Sequence, residues 1–237
     1  MANNYFSFKQ FTVFHDKCAM KVGTDGVMLG AWADVERTGR IIDAGTGTGL
    51  IAIMLAQRTV TAVIDAVEID EKACGQALEN VRACPWSQRI NVHNDSFQHF
   101  AENTDTRYDL VVSNPPFFRN ALKPPVDARA NARHDTKLSH DSLLFHAATI
   151  LNNEGRLAMI VPAEAFTRLT EQAYLHGLYI SKLLKVRPLP DKPVSRCLVE
   201  FCLNRQVRCE ESMLTIRGKD LVTYTDDYKA LTNDFYL

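Results

Sequence analysis

The stretch Arg40-Ile41-Ile42-Asp43-Ala44-Gly45-Thr46-Gly47-Thr48-Gly49-Leu50 decides the fold. It opens as a short apolar run, passes through three glycines at alternate positions, and leads into 50–57, where Leu50, Ile51, Met54 and Leu55 share one helical face. A strand that ends in a tight glycine turn and opens a helix begins an alternating α/β unit. Reading downstream, 62–69 is a second strand and 71–83 a helix with Ala73, Ala77, Leu78 and Val81 inward, stopped by Pro85. Residues 90–92 form a short third strand. The fourth, 108–113, is nearly continuous in apolar residues, as buried parallel strands are. Ser139 caps a helix running to about 151, Gly155 marks a turn, 157–161 is a fifth strand, and 164–175 is a helix closed near Gly177. The rhythm then changes. Residues 179–187 and 197–203 are strands joined by a loop holding Pro188, Pro190 and Pro193. The expectation is an α/β sheet with helices on both faces and a reversed last strand.

Upstream, Tyr5, Phe6, Phe8, Phe11 and Phe14 flank Lys9-Gln10 and predict a hairpin. These five aromatics read as packing in preference to base stacking, because such a hairpin buries much apolar area. Thr24-Asp25 starts a helix with Val27, Met28, Ala31, Trp32 and Val35 on one side. The chain of 237 residues therefore reads as one domain, 1–237, with an N-terminal extension over about 1–38 and a core over about 39–237.

Composition bounds the partners. The chain is 46% hydrophobic and 23% charged, the balance of a globular protein. It carries 27 basic and 28 acidic residues, a net of −1, which argues against a polybasic nucleic-acid binder but allows a local basic face. No apolar run reaches the length of a membrane span, and the first residues show no signal-peptide pattern. The six cysteines, without a Cys-x-x-Cys pair, read as cytosolic thiols, and no metal site is expected.

The glycine turn alone is a weak signal, compatible with a dinucleotide or a nucleoside. Its spacing departs from Gly-x-Gly-x-x-Gly, and Glu68 ends the second strand where a carboxylate can accept from both ribose hydroxyls. Both features favour a nucleoside. Glu68 taken alone could be a solvated strand end, and Asp95, after the third strand, could be a helix cap. Together Asp43, Gly45, Gly47, Gly49, Glu68 and Asp95 stand at the ends of three successive strands, where open α/β sheets bind ligands.

Ser113-Asn114-Pro115-Pro116-Phe117-Phe118 ends the fourth strand. Two consecutive prolines donate no hydrogen bond and hold the chain extended, so Asn114 faces outward. This segment, beside the glycine turn, resembles the class I S-adenosylmethionine-dependent methyltransferases that modify exocyclic or amide nitrogens through Asn-Pro-Pro-(Phe/Tyr). That resemblance covers about 40–203 and implies a Rossmann-like seven-stranded sheet. Four further segments widen it to nearly the whole chain: Phe6-Ser7-Phe8-Lys9-Gln10-Phe11, Met20-Lys21-Val22-Gly23-Thr24-Asp25-Gly26, Ala132-Arg133-His134-Asp135 and Asp234-Phe235-Tyr236-Leu237. With them the chain is similar to the bacterial tRNA(Val) adenine-37 N6-methyltransferase family.

The resemblance implies S-adenosylmethionine as cofactor and a tRNA, a valine tRNA by family likeness, as substrate. It assigns Asp95 to the cofactor's adenine amine, and Asn114, Pro115 and Phe117 to catalysis. Asn114 and the Pro115 carbonyl would accept from the target amine, while Phe117 would stack on the extruded base. Pro116, Phe118, Arg119, Arg133 and Lys137 would contact RNA. Between 119 and 140 five basic residues face two acids, and between 182 and 208 seven face two. Phosphate contacts there would position an RNA without reading it; a solvated charged loop is the alternative. Guanine-N2 methylation of rRNA, glutamine methylation of protein, or a silent cofactor- or RNA-binding module remain other readings of the same core.

Overall fold

The computed structural model describes residues 3–115 and 138–236. The hairpin pairs β1 (Tyr5–Ser7) with β2 (Thr12–Phe14), and α1 (Thr24–Trp32) follows. The alternation then runs β3 (Arg40–Ala44), α2 (Leu50–Arg58), β4 (Val63–Glu68), α3 (Glu71–Ala83), β5 (Ile90–Asn94), α4 (Phe97–Asn103) and β6 (Tyr108–Ser113). After the undescribed segment come α5 (His140–Ile150), β7 (Leu151–Pro162), α6 (Phe166–Leu175), β8 (Tyr179–Arg187), β9 (Arg196–Cys202), β10 (Glu210–Thr215) and α7 (Asp226–Thr232).

The seven strands expected for the core lie in one sheet, and an eighth, β10, extends it. The order is β10-β8-β9-β7-β6-β3-β4-β5. Only β9 is reversed: it pairs antiparallel with both β7 and β8, while every other neighbouring pair in this sheet is parallel. The reversed strand therefore sits inside the sheet, between β8 and β7, and not at its edge. The carboxyl ends of all the parallel strands share one edge of the sheet.

Alternate residues feed two apolar cores. Ile41, Ile64, Leu110, Val112, Ala158 and Ile160 pack with α1 and α2. Ile42, Val67, Val111, Leu157 and Met159 pack with α5 and α6 on the other face. A buried parallel sheet needs both faces covered, which is why its strands read as continuous apolar runs. Phe8, Phe11 and Val13 of the hairpin are buried in the first core, and Phe8 stacks on Tyr236 with rings nearly parallel. Tyr5, Phe6 and Phe14 stay exposed. Packing thus accounts for two of the five hairpin aromatics outright.

Candidate active site

Four neighbouring strands, in the order β6-β3-β4-β5, deliver the predicted site residues to one edge of the sheet. Asp43 lies at the end of β3 and is fully buried. Its Oδ2 accepts from the Thr46 hydroxyl at 2.5 Å and from the Ala52 backbone N–H at 3.1 Å, which fastens the strand to the glycine turn and to α2. Its Oδ1 has no hydrogen-bond partner among the described residues. Burial pushes the Asp43 carboxyl up to about 7, against the two hydrogen bonds, and the negative charge of Glu68 adds to the rise.

The turn itself is held by β4. The N–H groups of Gly45 and Thr46 both donate to the Val67 carbonyl, and Gly47 N–H donates to Glu68 Oε2 at 2.8 Å. Glu68 Oε1 accepts from Asp70 N–H at 2.9 Å. Gly45 and Gly47 have positive φ, 75° and 57°, and a Cβ built on either meets no atom within 4 Å. The backbone surface is therefore open at the turn, and only glycine takes this conformation without strain. Gly49 precedes α2 as its cap residue.

Asp95 directly follows β5. The cap of α4 is Ser96, whose hydroxyl accepts from His99 N–H, so Asp95 does not serve as the cap. Asp95 Oδ1 accepts from Ser96 N–H, and Oδ2 meets His99 Nδ1 at 2.7 Å. That hydrogen bond and the carboxylate charge raise the His99 pKa. Gly45, Glu68, Ile69, Asp95 and Phe97 line one cleft. An open glycine cradle flanked by two acids suits a nucleoside with free ribose hydroxyls and an exocyclic amine, which is the chemistry S-adenosylmethionine presents.

Asn114 and Pro115 follow β6, one strand over from Asp43. Ser113 Oγ donates to the Ala44 carbonyl at 2.7 Å and locks the two strand ends together. Asn114 Oδ1 is buried and has no hydrogen-bond partner among the described residues. A buried acceptor left unpaired is costly unless something else satisfies it. Gly26 of α1 packs against this residue: a Cβ there would lie 4.0 Å from Asn114 Nδ2. The N-terminal extension thus reaches the end of β6. Pro116, Phe117, Phe118, Arg119, Arg133 and Lys137 lie outside the described residues.

The methyltransferase small domain family matches residues 21–173. Over its whole length the chain is 46% identical to the tRNA1(Val) (adenine(37)-N6)-methyltransferase of Parabacteroides distasonis, covering 99% of that protein. It is 48% identical to the protein of the same name from Trichodesmium erythraeum, again over 100% of this chain and 99% of the relative. The chain belongs to this methyltransferase family. Among solved structures, a predicted O-methyltransferase from Agrobacterium tumefaciens shares the fold, with a TM-score of 0.71, 18% identity, and coverage of 89% of this chain and 96% of that one. Membership in the family implies methyl transfer dependent on S-adenosylmethionine.

Other residues that sequence reading passed over shape this edge of the sheet. Asn80, buried on α3, accepts from Phe14 N–H and donates to the Phe14 and Thr48 carbonyls. One side chain thereby ties the hairpin to the glycine turn. No periodicity marks it, since a polar residue on a helix normally faces solvent. His99 did carry a signal, its i, i+4 spacing from Asp95. The basic run 182–208 is partly consumed internally: Lys182 pairs with Asp34, Lys185 with Glu211 and Arg196 with Asp25. Among the described residues no three His, Cys, Asp or Glu side chains gather as metal ligands, and no helix is long and apolar enough to cross a membrane.

Proposed function

We propose that the chain, acting as one catalytic domain in the cytoplasm, methylates N6 of adenine 37 in a valine tRNA, with S-adenosylmethionine as methyl donor. The observation that carries this reading is the unpartnered, buried Asn114 Oδ1, one strand away from an open glycine cradle, in a chain alike over its full length to enzymes of that name.

S-adenosylmethionine supplies an electrophilic methyl group. Glu68 and Asp95 hold the donor by its ribose and adenine, and Gly45 and Gly47 let the backbone approach it. An exocyclic amine is a poor nucleophile because its lone pair is delocalised into the ring. Asn114 Oδ1 and the Pro115 carbonyl accept from its two N–H groups, favour the pyramidal form, and stabilise the positive charge that grows on nitrogen. Phe117 offers a flat face to the extruded base. The nitrogen sheds its proton after transfer, so no strong base is required beforehand. Arg119, Arg133 and Lys137, just beyond the motif, hold RNA phosphates.

The test is methyl transfer to total RNA from a deletion strain by the purified chain, with nucleosides resolved by mass. N6-methyladenosine in valine tRNA is the expected product. N2-methylguanosine, or methylated glutamine in a protein substrate, would replace this reading.

A further inference from the structure

The carboxyl edge of the sheet carries a second cavity, on the opposite side of Asn114 from the cofactor crevice. The crevice lies over the ends of β3, β4 and β5. The second cavity lies where β8 and β10 end and the reversed β9 begins, with Ser195, Ile216 and Arg217 in its walls. Strands are about 4.8 Å apart, so β9, β8 and β10, two, three and four steps from β6, set the cavity roughly 10–20 Å from Asn114. The N-terminal turn of α1 closes the space between them. Asp25 and Met28 face the cavity, and Gly26 packs on Asn114.

The cavity measures about 250 Å³. That is a little below the roughly 300–1,000 Å³ of drug-sized sites and suits one flat ring system. Its outer wall is built for stacking. Tyr224 lies on Tyr228 with ring centroids 4.8 Å apart and planes inclined by 28°. The Arg217 guanidinium lies over the Tyr224 ring at 4.6 Å, and its Nη1 is fixed by donating to the Val222 carbonyl at 2.6 Å. Tyr228 is buried and donates from its hydroxyl to that of Tyr236, so the platform is anchored in the core. Tyr224 is thus covered by Tyr228 and Arg217, and the Arg217 guanidinium, a plane of the kind on which proteins stack unpaired bases, lines the cavity. The Ser195 hydroxyl and the Asp25–Arg196 pair add hydrogen-bonding groups for a base edge. Met28 and Ile216 make part of the lining apolar and Asp25 offsets the charge of Arg196, which suits a base better than a phosphate.

We infer that this cavity receives a second base of the RNA, a few nucleotides from the target adenine, and so helps set which adenine reaches Asn114. The inference rests on the RNA-methylating function proposed above. It gives the 217–224 segment and the first turn of α1 a role in specificity.

The test is steady-state methyl transfer to an anticodon stem-loop RNA, intact or with a single abasic site at each flanking position in turn. The unaltered chain, Tyr224→Ala and Ser195→Phe are compared, with S-adenosylhomocysteine affinity measured separately. Ser195→Phe adds bulk to the cavity and leaves Tyr224 and Arg217 unsubstituted, so it stands should Tyr224→Ala fail to fold. One flanking abasic site should raise KM about tenfold in the unaltered chain, the scale of removing one base stack. The same site should add little in either variant, while kcat and S-adenosylhomocysteine affinity hold. Insensitivity to every abasic site, or effects that multiply in the variants, overturns the pocket and leaves the methylation reading intact. Normal S-adenosylhomocysteine binding with no methyl transfer to RNA by the unaltered chain overturns the methylation reading itself.

Discussion

Gly47 donates its backbone N–H to the Glu68 carboxylate at 2.8 Å, and through that bond the glycine turn and the end of β4 become one rigid edge of the crevice. The other Glu68 oxygen accepts from Asp70 N–H, so the side chain is oriented before any ligand arrives. A preoriented acceptor loses little entropy when it takes up ribose hydroxyls. Glu68→Ala should weaken S-adenosylhomocysteine binding by about 1.5–3 kcal/mol, the worth of charge-assisted hydrogen bonds. Glu68→Gln, which keeps one oxygen, should lose less. Calorimetry on the three proteins decides it; equal affinity for all three would remove Glu68 from the cofactor site.

Asp43 makes the stability of the fold depend on pH. Its carboxyl is raised to about 7 by burial, above the ordinary 3.8 of the unfolded chain. The stability it contributes is full below the unfolded value and is lost as pH rises through about 7, because the buried charge has no partner for Oδ1. Asp43→Asn should therefore raise Tm at pH 8 relative to the unaltered chain and bring the two proteins together near pH 4. Thermal melts across that range would show the convergence. A constant difference at every pH would mean that Asp43 does not change its charge there.

The Asp95–His99 contact predicts a pH dependence of a different kind. His99 has its pKa raised by Asp95, so as pH falls it becomes a cation that holds the carboxylate more firmly. Cofactor binding through Asp95 should then weaken on acidification. His99→Ala should flatten that dependence and leave affinity at alkaline pH unchanged. Parallel slopes in the two proteins would separate His99 from the site.

The crevice was legible in the sequence because the inner strands that position it, β3, β4 and β6, are buried on both faces and end in residue types that loops require. β3, β4 and β6 are apolar runs cut off by glycines, by an acid, and by Asn-Pro-Pro. The sheet's far edge was not legible. β10 begins Glu210-Glu211-Ser212-Met213, all exposed, and pairs on one side only, with β8. An edge strand of this kind shows neither an apolar run nor a clean alternation, and its charges are what protect it from pairing further. α7 spans seven residues and contributes one large buried ring, Tyr228, too little for a periodic pattern. The long-range hydrogen bonds of Asn80 and the Asp25–Arg196 pair join residues far apart in sequence, and no local spacing encodes them.

Arg133 and Lys137 carry a prediction from charge alone. Replacing both with alanine should weaken tRNA binding and leave cofactor affinity unchanged. The log–log salt dependence should become shallower by about 0.7–0.9 for each phosphate that the variant no longer neutralises. Filter binding over a salt series measures this; an unaltered slope would take the segment off the RNA face.

Asn114 gives the sharpest separation of binding from chemistry. Its Oδ1 is buried without a partner, a cost that a structural asparagine would normally avoid by turning its amide toward a donor. Ser113, anchored on the Ala44 carbonyl, fixes the backbone from which that oxygen projects. If the oxygen accepts from an amine whose positive charge appears only during attack, its removal acts on the transition state and not on the bound substrate. Asn114→Ala should therefore lower kcat by roughly 100-fold to 1,000-fold, the cost of losing one preorganised partner, with RNA and cofactor affinities near those of the unaltered chain. It should also be no less stable, since Oδ1 accepts no hydrogen bond from the described residues to begin with. Asn114→Asp keeps an acceptor and should retain part of the rate. Single-turnover transfer from labelled S-adenosylmethionine, with separate binding measurements and thermal melts, distinguishes the outcomes. Transfer at the unaltered rate in Asn114→Ala would show that the amine is activated by some other acceptor. A large loss of affinity with kcat preserved would make Asn114 a substrate-binding residue, and the Pro115 carbonyl would then be left to carry the charge alone.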